Sequence, residues 1–245
     1  MTRPSKIRKG VSRTSDAEES GRHEFSRRRQ ILLVDDHPMT RAGVAQLLST
    51  QQDLEVSWQA GNPTEALKQL ASVRPDLVVT DLTMPGRSGV EFIKDLLALH
   101  GDLSILVISM HDELVYAERV LRAGARGYIM KEAGGEKLLA AVRQVLAGQV
   151  YVSERVSATL LDAMTGRRPR GSTSPIEKLS DREFEIFQLV GQGKSTREIA
   201  KQLSLSPKTV DVHRAHIKEK LDLKDATSLV RHAVRWVESQ GQGAA

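Results

Sequence analysis

The 245-residue chain contains no cysteine. It therefore carries no disulfide and no thiolate metal site, which fits a reducing, cytoplasmic setting. Aromatic residues supply only 4% of the chain, so the cores that its 40% hydrophobic content permits are expected to be aliphatic. No apolar run approaches the roughly 18 residues a membrane span needs, and no membrane partner is expected. Negative charge is short at both ends. Residues 1–29 carry 9 basic and 4 acidic groups, residues 166–245 carry 15 and 10, and residues 30–165 carry 12 and 17. An acidic middle beside a basic carboxyl-terminal part points the latter toward an acidic partner, nucleic acid being the usual one.

Residues 1–29 mix Arg, Lys, Ser and Glu with almost no apolar side chains. Such a segment cannot bury enough surface to offset the entropy of ordering, and is expected to be a disordered basic tail. It lacks the apolar core of a signal peptide, and Asp16, Glu18 and Glu19 argue against a transit peptide. Electrostatic contact with DNA and extra translation from a misplaced start codon are both open readings of it.

From Gln30 onward the pattern alternates. Short apolar runs at 31–34, 54–58, 77–80, 105–108 and 128–130 read as strands, and helical spacing occupies 39–48, 63–70, 90–99, 114–121 and 136–146. Five strands alternating with five helices imply an α/β domain over 30–150, a doubly wound five-stranded parallel sheet. Residues 151–175 form a linker with one amphipathic helix, its Val156, Leu160 and Leu161 on one side, and Thr165 to Ser174 is linker by composition. Residues 176–240 form an all-α, four-helix unit announced by its caps. Ser180 with Glu183 and Ser195 with Glu198 are capping boxes, Ser206 precedes Pro207, and Asp225 can open the last helix.

Chemistry gathers at the strand ends. Asp35 and Asp36 end the first strand, Asp81 the third, Ser109 the fourth and Lys131 the fifth, which Tyr128 opens. In the flavodoxin-like order 2-1-3-4-5, strands one and three are neighbours and ligands bind in the crevice outside their carboxyl ends. Three carboxylates in one crevice raise one another's pKa unless a cation compensates, and a hard divalent ion such as Mg²⁺ suits oxygen ligands. Carboxylates, a metal and a lysine suit phosphoryl chemistry, with Asp81 attacking phosphorus in line.

In the helical part, the second and third helices joined through Ser204-Leu205-Ser206 have the shape of a helix-turn-helix. Stepping about 100° per residue, Val210, Ile217 and Leu221 form the buried stripe. Lys208, Asp211, Val212 and Ala215 fall opposite, toward a major groove, with Arg214 and Lys218 at phosphate-contact angles. His213 and His216 could bind metal as a pair. With no third ligand nearby they read as packing and phosphate contacts, and the other histidines form no constellation.

These motifs carry a resemblance. Ile31 through Pro38 with Arg41 and Gly43, then Leu82-Thr83-Met84-Pro85-Gly86 with Gly89, and Ala123-Gly124-Ala125 before Gly127-Tyr128 and Lys131, resemble a response-regulator receiver domain. The resemblance implies that a sensor histidine kinase phosphorylates Asp81. It implies Mg²⁺ held by Asp36, Asp81 and the Thr83 carbonyl, with Asp35 assisting through water, Ser109 and Tyr128 as switch residues, and Lys131 as the phosphoryl contact. Thr83 occupies a place that influences phosphate lifetime. Leu179 through Glu183, Gly193-Lys194-Ser195, Glu198-Ile199-Ala200, Leu203, Lys208-Thr209-Val210 through His213, and Lys220-Leu221 resemble the LuxR-type DNA-binding domain. Together they resemble the NarL/FixJ class of two-component transcriptional regulators, which dimerise on double-stranded DNA. Thr209 joins the DNA-contact set on this basis. Thr196 stands where the family often has Asn, and Asp211 where Lys or Glu is common, which bears on the target sequence. The expected function is a phosphorylation-controlled transcriptional regulator and not an enzyme. Two other readings compete: a phosphatase with Asp81 as nucleophile, disfavoured because Thr83 replaces the second acid, and a pseudo-receiver, disfavoured by the intact Asp36, Asp81 and Lys131.

Overall fold

The computed structural model describes residues 27–165 and 175–241. Nearly all of the expected tail, and the linker stretch 166–174, lie outside the described residues. The first unit runs β1 (Arg29–Val34), α1 (Pro38–Ser49), β2 (Leu54–Ala60), α2 (Pro63–Leu70), β3 (Leu77–Asp81), α3 (Gly89–Leu99), β4 (Ser104–Ser109), α4 (Glu113–Arg122), β5 (Gly127–Met130) and α5 (Gly135–Leu146). All pairings are parallel, in the order β2-β1-β3-β4-β5.

Alternation along each strand builds the two faces. Leu32, Val34, Val78, Ile105, Val107 and Tyr128 pack with α2, α3 and α4, while Ile31, Leu33, Leu77, Val79, Leu106 and Ile108 pack with α1 and α5. A strand covered on both sides must be apolar throughout, and all five residues of β3 are buried, Asp81 included. The parallel register sets Val34 beside Thr80 and Asp81 beside Ile108, so the strands end level on one edge. The loop after β3 folds back tightly. A Cβ on Gly89 would stand 2.0 Å from the Leu82 carbonyl oxygen, so only glycine lets α3 start there.

After α6 (Glu154–Met164) come α7 (Asp181–Gly191), α8 (Thr196–Gln202), α9 (Pro207–Lys220) and α10 (Ala226–Gly241). Both capping boxes are complete in both directions, and Asp225 accepts the Ser228 amide at 2.7 Å. Ser204, at φ 53°, makes the left-handed turn between α8 and α9. A Cβ on Gly191 would stand 2.5 Å from the Ala233 carbonyl oxygen, so α7 and α10 approach closely there. Two expectations are corrected. Leu161 is 61% exposed, because α6 buries only its Val156 and partly its Leu160. The second unit's core holds an aromatic cluster, with Phe184 and Phe187 edge-on to Trp236 at 5.4 and 5.8 Å, because the three aromatics of α7 and α10 face one another.

The two units are docked along α4. Arg119 donates to the Ile176 and Leu179 carbonyls at 3.0 and 3.1 Å, pairs with Asp181, and lies 4.3 Å over the Phe184 ring. Tyr116 donates its hydroxyl to Gln188, and Arg182 donates to the Gly86 carbonyl at 2.9 Å.

Candidate functional site

The ends of β1, β3 and β5 converge on one pocket. Asp35 and Asp81 are 1% and 4% exposed, and charges that deep persist only when paired. Lys131 supplies the pairing: its Nζ lies 2.8 Å from Asp35 Oδ2 and 2.6 Å from Asp81 Oδ2. The other oxygens meet backbone donors, Asp35 Oδ1 accepting from the His37 amide at 2.7 Å and Asp81 Oδ1 from the Thr83 amide at 3.2 Å. Burial raises the Asp81 carboxyl above the usual range, against the lowering pull of Lys131. For Lys131, burial works against the charge, but hydrogen bonds to Asp35 and Asp81 outweigh it and raise its pKa. Lys131, the ammonium that the strand-end reading places in this crevice, thus compensates both buried carboxylates directly.

Asp36 completes the acidic set. Ligand atoms of Asp35, Asp36, His37 and Asp81 all lie within 4.8 Å of one another. Asp36 Oδ1 is shielded from solvent and accepts no hydrogen bond of good geometry, its neighbour being His37 Nδ1 at 2.9 Å. A hard cation with oxygen ligands fits such a donor set.

Ser109 and Tyr128 are buried beside the pocket at 0% and 1% exposure. Ser109 Oγ accepts the His111 amide at 3.1 Å, and the Tyr128 hydroxyl donates to the His111 carbonyl at 2.8 Å. Burial pushes the Tyr128 phenol well above its usual range, so it stays a neutral donor.

On α9, Val210 and Ile217 are fully buried and Leu221 nearly so, while Lys208, Asp211, Val212 and Ala215 are exposed. The angular reading therefore holds. Arg214 and Lys218 are half-buried on the flanks. Arg214 donates to Thr196 Oγ1 at 2.8 Å, and that hydroxyl lies 3.4 Å from Asp211 Oδ1. The two residues that depart from the family pattern thus meet each other. Thr209 is turned inward to the cap, its hydroxyl 2.7 Å from Ser206 Oγ.

The description of bacterial regulatory proteins of the luxR family matches residues 177–233, and that of the response regulator receiver domain matches residues 31–143. The oxygen regulatory protein NreC of Staphylococcus carnosus is 37% identical over 210 residues, spanning 84% of this chain and 97% of that one. This chain belongs to the response regulators. Its receiver is joined to a LuxR-type DNA-binding domain, the make-up of a transcriptional regulator. Among solved structures, RcsB from Salmonella enterica serovar Typhimurium, bound to promoter rprA with the phosphomimetic BeF₃⁻, aligns with a TM-score of 0.60 at 25% identity, covering 84% of this chain and 98% of that one. A LuxR-family response regulator from Aurantimonas sp. SI85-9A1 aligns at 0.53 and 31% identity over 56% of this chain and 99% of that one.

Sequence reasoning missed three residues of this response regulator. His37 and His111 do belong to a constellation, since the loops after β1 and β4 converge on the pocket although 74 positions separate them. His37 touches Asp36, and His111 Nε2 lies 2.6 Å from Thr83 Oγ1. Glu183 is the third: it brings a ligand atom within 4.8 Å of His213 and His216, supplying the donor that sequence proximity lacked. Lys220 Nζ already sits 2.6 Å from Glu183 Oε2, however, so that carboxylate has its cation.

Proposed function

We propose that Asp81 is the phosphoryl acceptor for a cognate sensor histidine kinase, and that its phosphorylation controls DNA binding by α7–α10. One observation carries the reading: Lys131 bridges Asp35 and Asp81 where three strand ends meet. A carboxylate oxygen of Asp81 forms the new bond to phosphorus as the donor's phosphorus–nitrogen bond breaks and the imidazole leaves with the electron pair. Lys131 then has a phosphoryl oxygen as partner in place of a carboxylate oxygen. Asp36, Asp81 and the Thr83 carbonyl would hold Mg²⁺, with Asp35 assisting; when bound, the ion would supply charge neutralisation for the phosphoryl group.

The switch follows from the contacts of Ser109 and Tyr128. Ser109 turns toward the phosphoryl group, Tyr128 moves into the vacated space, and the α4–β5 surface repacks. Because α4 holds Ile176, Leu179 and Phe184 through Arg119, repacking favours release of the helical domain, with a homodimer forming on double-stranded DNA. We divide the chain accordingly into the tail 1–29, receiver 30–150, linker 151–175 and DNA-binding domain 176–240, working in the cytoplasm where DNA is. Lys208, Asp211, Val212 and Ala215 face base edges. Arg214 and Lys218 face phosphates, and Thr209 assists from the cap. A regulatory role is favoured over phosphatase turnover because Thr83 offers no second carboxyl.

The test is incubation with a small-molecule phosphodonor and Mg²⁺. One acyl phosphate, labile to hydroxylamine and absent from Asp81→Asn, is expected; equal labelling of Asp81→Asn would sink the assignment.

A further inference from the structure

His111 touches every part of the switch at once. Its backbone amide donates to Ser109 Oγ at 3.1 Å, and its carbonyl accepts from the Tyr128 hydroxyl at 2.8 Å. Its ring Nε2 lies 2.6 Å from Thr83 Oγ1, on the loop that follows Asp81. The face of the same ring packs against Tyr116 of α4, with centroids 5.0 Å apart and planes inclined by 38°. Tyr116 then leaves the receiver: its hydroxyl bonds Gln188 of α7, and its ring meets Phe184 edge-on at 5.3 Å. Phe184 in turn stands edge-on to Trp236 of α10 at 5.4 Å.

We infer that His111 is the positioning residue that carries the state of the acidic pocket to the DNA-binding helices, through the ring path His111–Tyr116–Phe184. The inference rests on the phosphorylation reading above and adds a route to it. Ser109 and Tyr128 have no direct hold on α7 in the contacts described; both hold the main chain of His111 instead. When Ser109 leaves its bond to the His111 amide, and the Tyr128 hydroxyl leaves the carbonyl, residue 111 loses both main-chain restraints together. Its ring is then free to leave Thr83 and Tyr116. Tyr116 is held in place by packing against His111 and Phe184 and by the bond of its hydroxyl to Gln188. A packed core has discrete arrangements, so loss of this one ring contact is felt at the docked surface.

The test uses the full chain and two separate readouts. Acyl-phosphate formation with a small-molecule phosphodonor reports the pocket, and hydrogen exchange of the α7 amides, residues 181–191, with and without Mg²⁺ and BeF₃⁻ reports docking. In the wild type, BeF₃⁻ is expected to speed exchange in α7. His111→Ala should still take up phosphate, yet show fast α7 exchange with or without BeF₃⁻. Tyr116→Phe removes only the hydroxyl that reaches Gln188 and keeps the ring. It should shift the docked-to-open ratio about fivefold toward open, the equivalent of ~1 kcal/mol, while still responding to BeF₃⁻. His111→Gln restores a polar group for Thr83 but no ring for Tyr116, and should behave as His111→Ala does. A wild-type response retained in full by His111→Ala overturns the inference, as does rescue by His111→Gln. Absence of phosphate uptake by the wild type instead overturns the phosphorylation reading beneath it.

Discussion

At the scale of single residues, the pocket balances two buried carboxylates against one lysine. Lys131→Met should remove the cation that both Asp35 and Asp81 bond, leaving two uncompensated charges. Breaking a buried pair this way costs about 3–5 kcal/mol, and chemical denaturation should read it as a lowered midpoint. Mg²⁺ should recover part of the loss, since a ligand of the folded state alone stabilises it by mass action. The raised Asp81 pKa also has a sign. Because the folded pKa lies above the unfolded value, the ionised carboxylate costs stability at neutral pH, and that cost disappears as pH falls through the folded pKa. Protonation would also remove one of the ligands proposed for Mg²⁺. Mg²⁺ affinity, followed by calorimetry, should therefore begin to weaken at a pH higher than an ordinary aspartate of pKa 3.8 would allow.

At the scale of elements, α9 is defined by its caps and by one buried stripe. The exposed face proposed to read DNA carries Asp211, a carboxylate that phosphates repel unless it accepts from a base amino group, with cytosine N4 the usual partner. Thr196 and Arg214 stand beside it, so the carboxylate is oriented before DNA arrives. Asp211→Ala should relax preference at one base position, worth about 1–3 kcal/mol of discrimination, as binding selection would reveal. Lys218→Ala should weaken all sequences alike and lower the salt slope by about one. If Asp211→Ala keeps the wild-type preference throughout, α9 reads DNA from another face.

At the scale of the whole molecule, Arg119 is a clasp between receiver and helical domain. Its guanidinium serves two carbonyls, Asp181 and the face of Phe184 simultaneously. Arg119→Ala should cost roughly 1.5–3 kcal/mol for each charged hydrogen bond lost, all of it from docking. Small-angle scattering should register a larger radius of gyration with both domains still folded. An unchanged radius would mean that Tyr116 and Arg182 hold the domains without it.

The strand ends were legible because their chemistry is local. An apolar run of four cannot continue into Asp35-Asp36 or Asp81-Leu82-Thr83 without leaving the sheet, and a parallel order then brings those ends together. The helical caps were legible for the same reason: Ser180 and Glu183 stand only three positions apart. The stripe of Val210, Ile217 and Leu221 followed from the helical period alone. What the chain order concealed was contact between distant segments. Lys131 as the partner of Asp35, His111 on Thr83, Glu183 beside His213 and His216, and Arg119 over Phe184 join positions from 28 to 96 apart. Those pairings depend on how two docked domains and converging loops bring side chains within a few ångströms. Local periodicity and capping carry no information on that distance, and only the packed tertiary structure decides it.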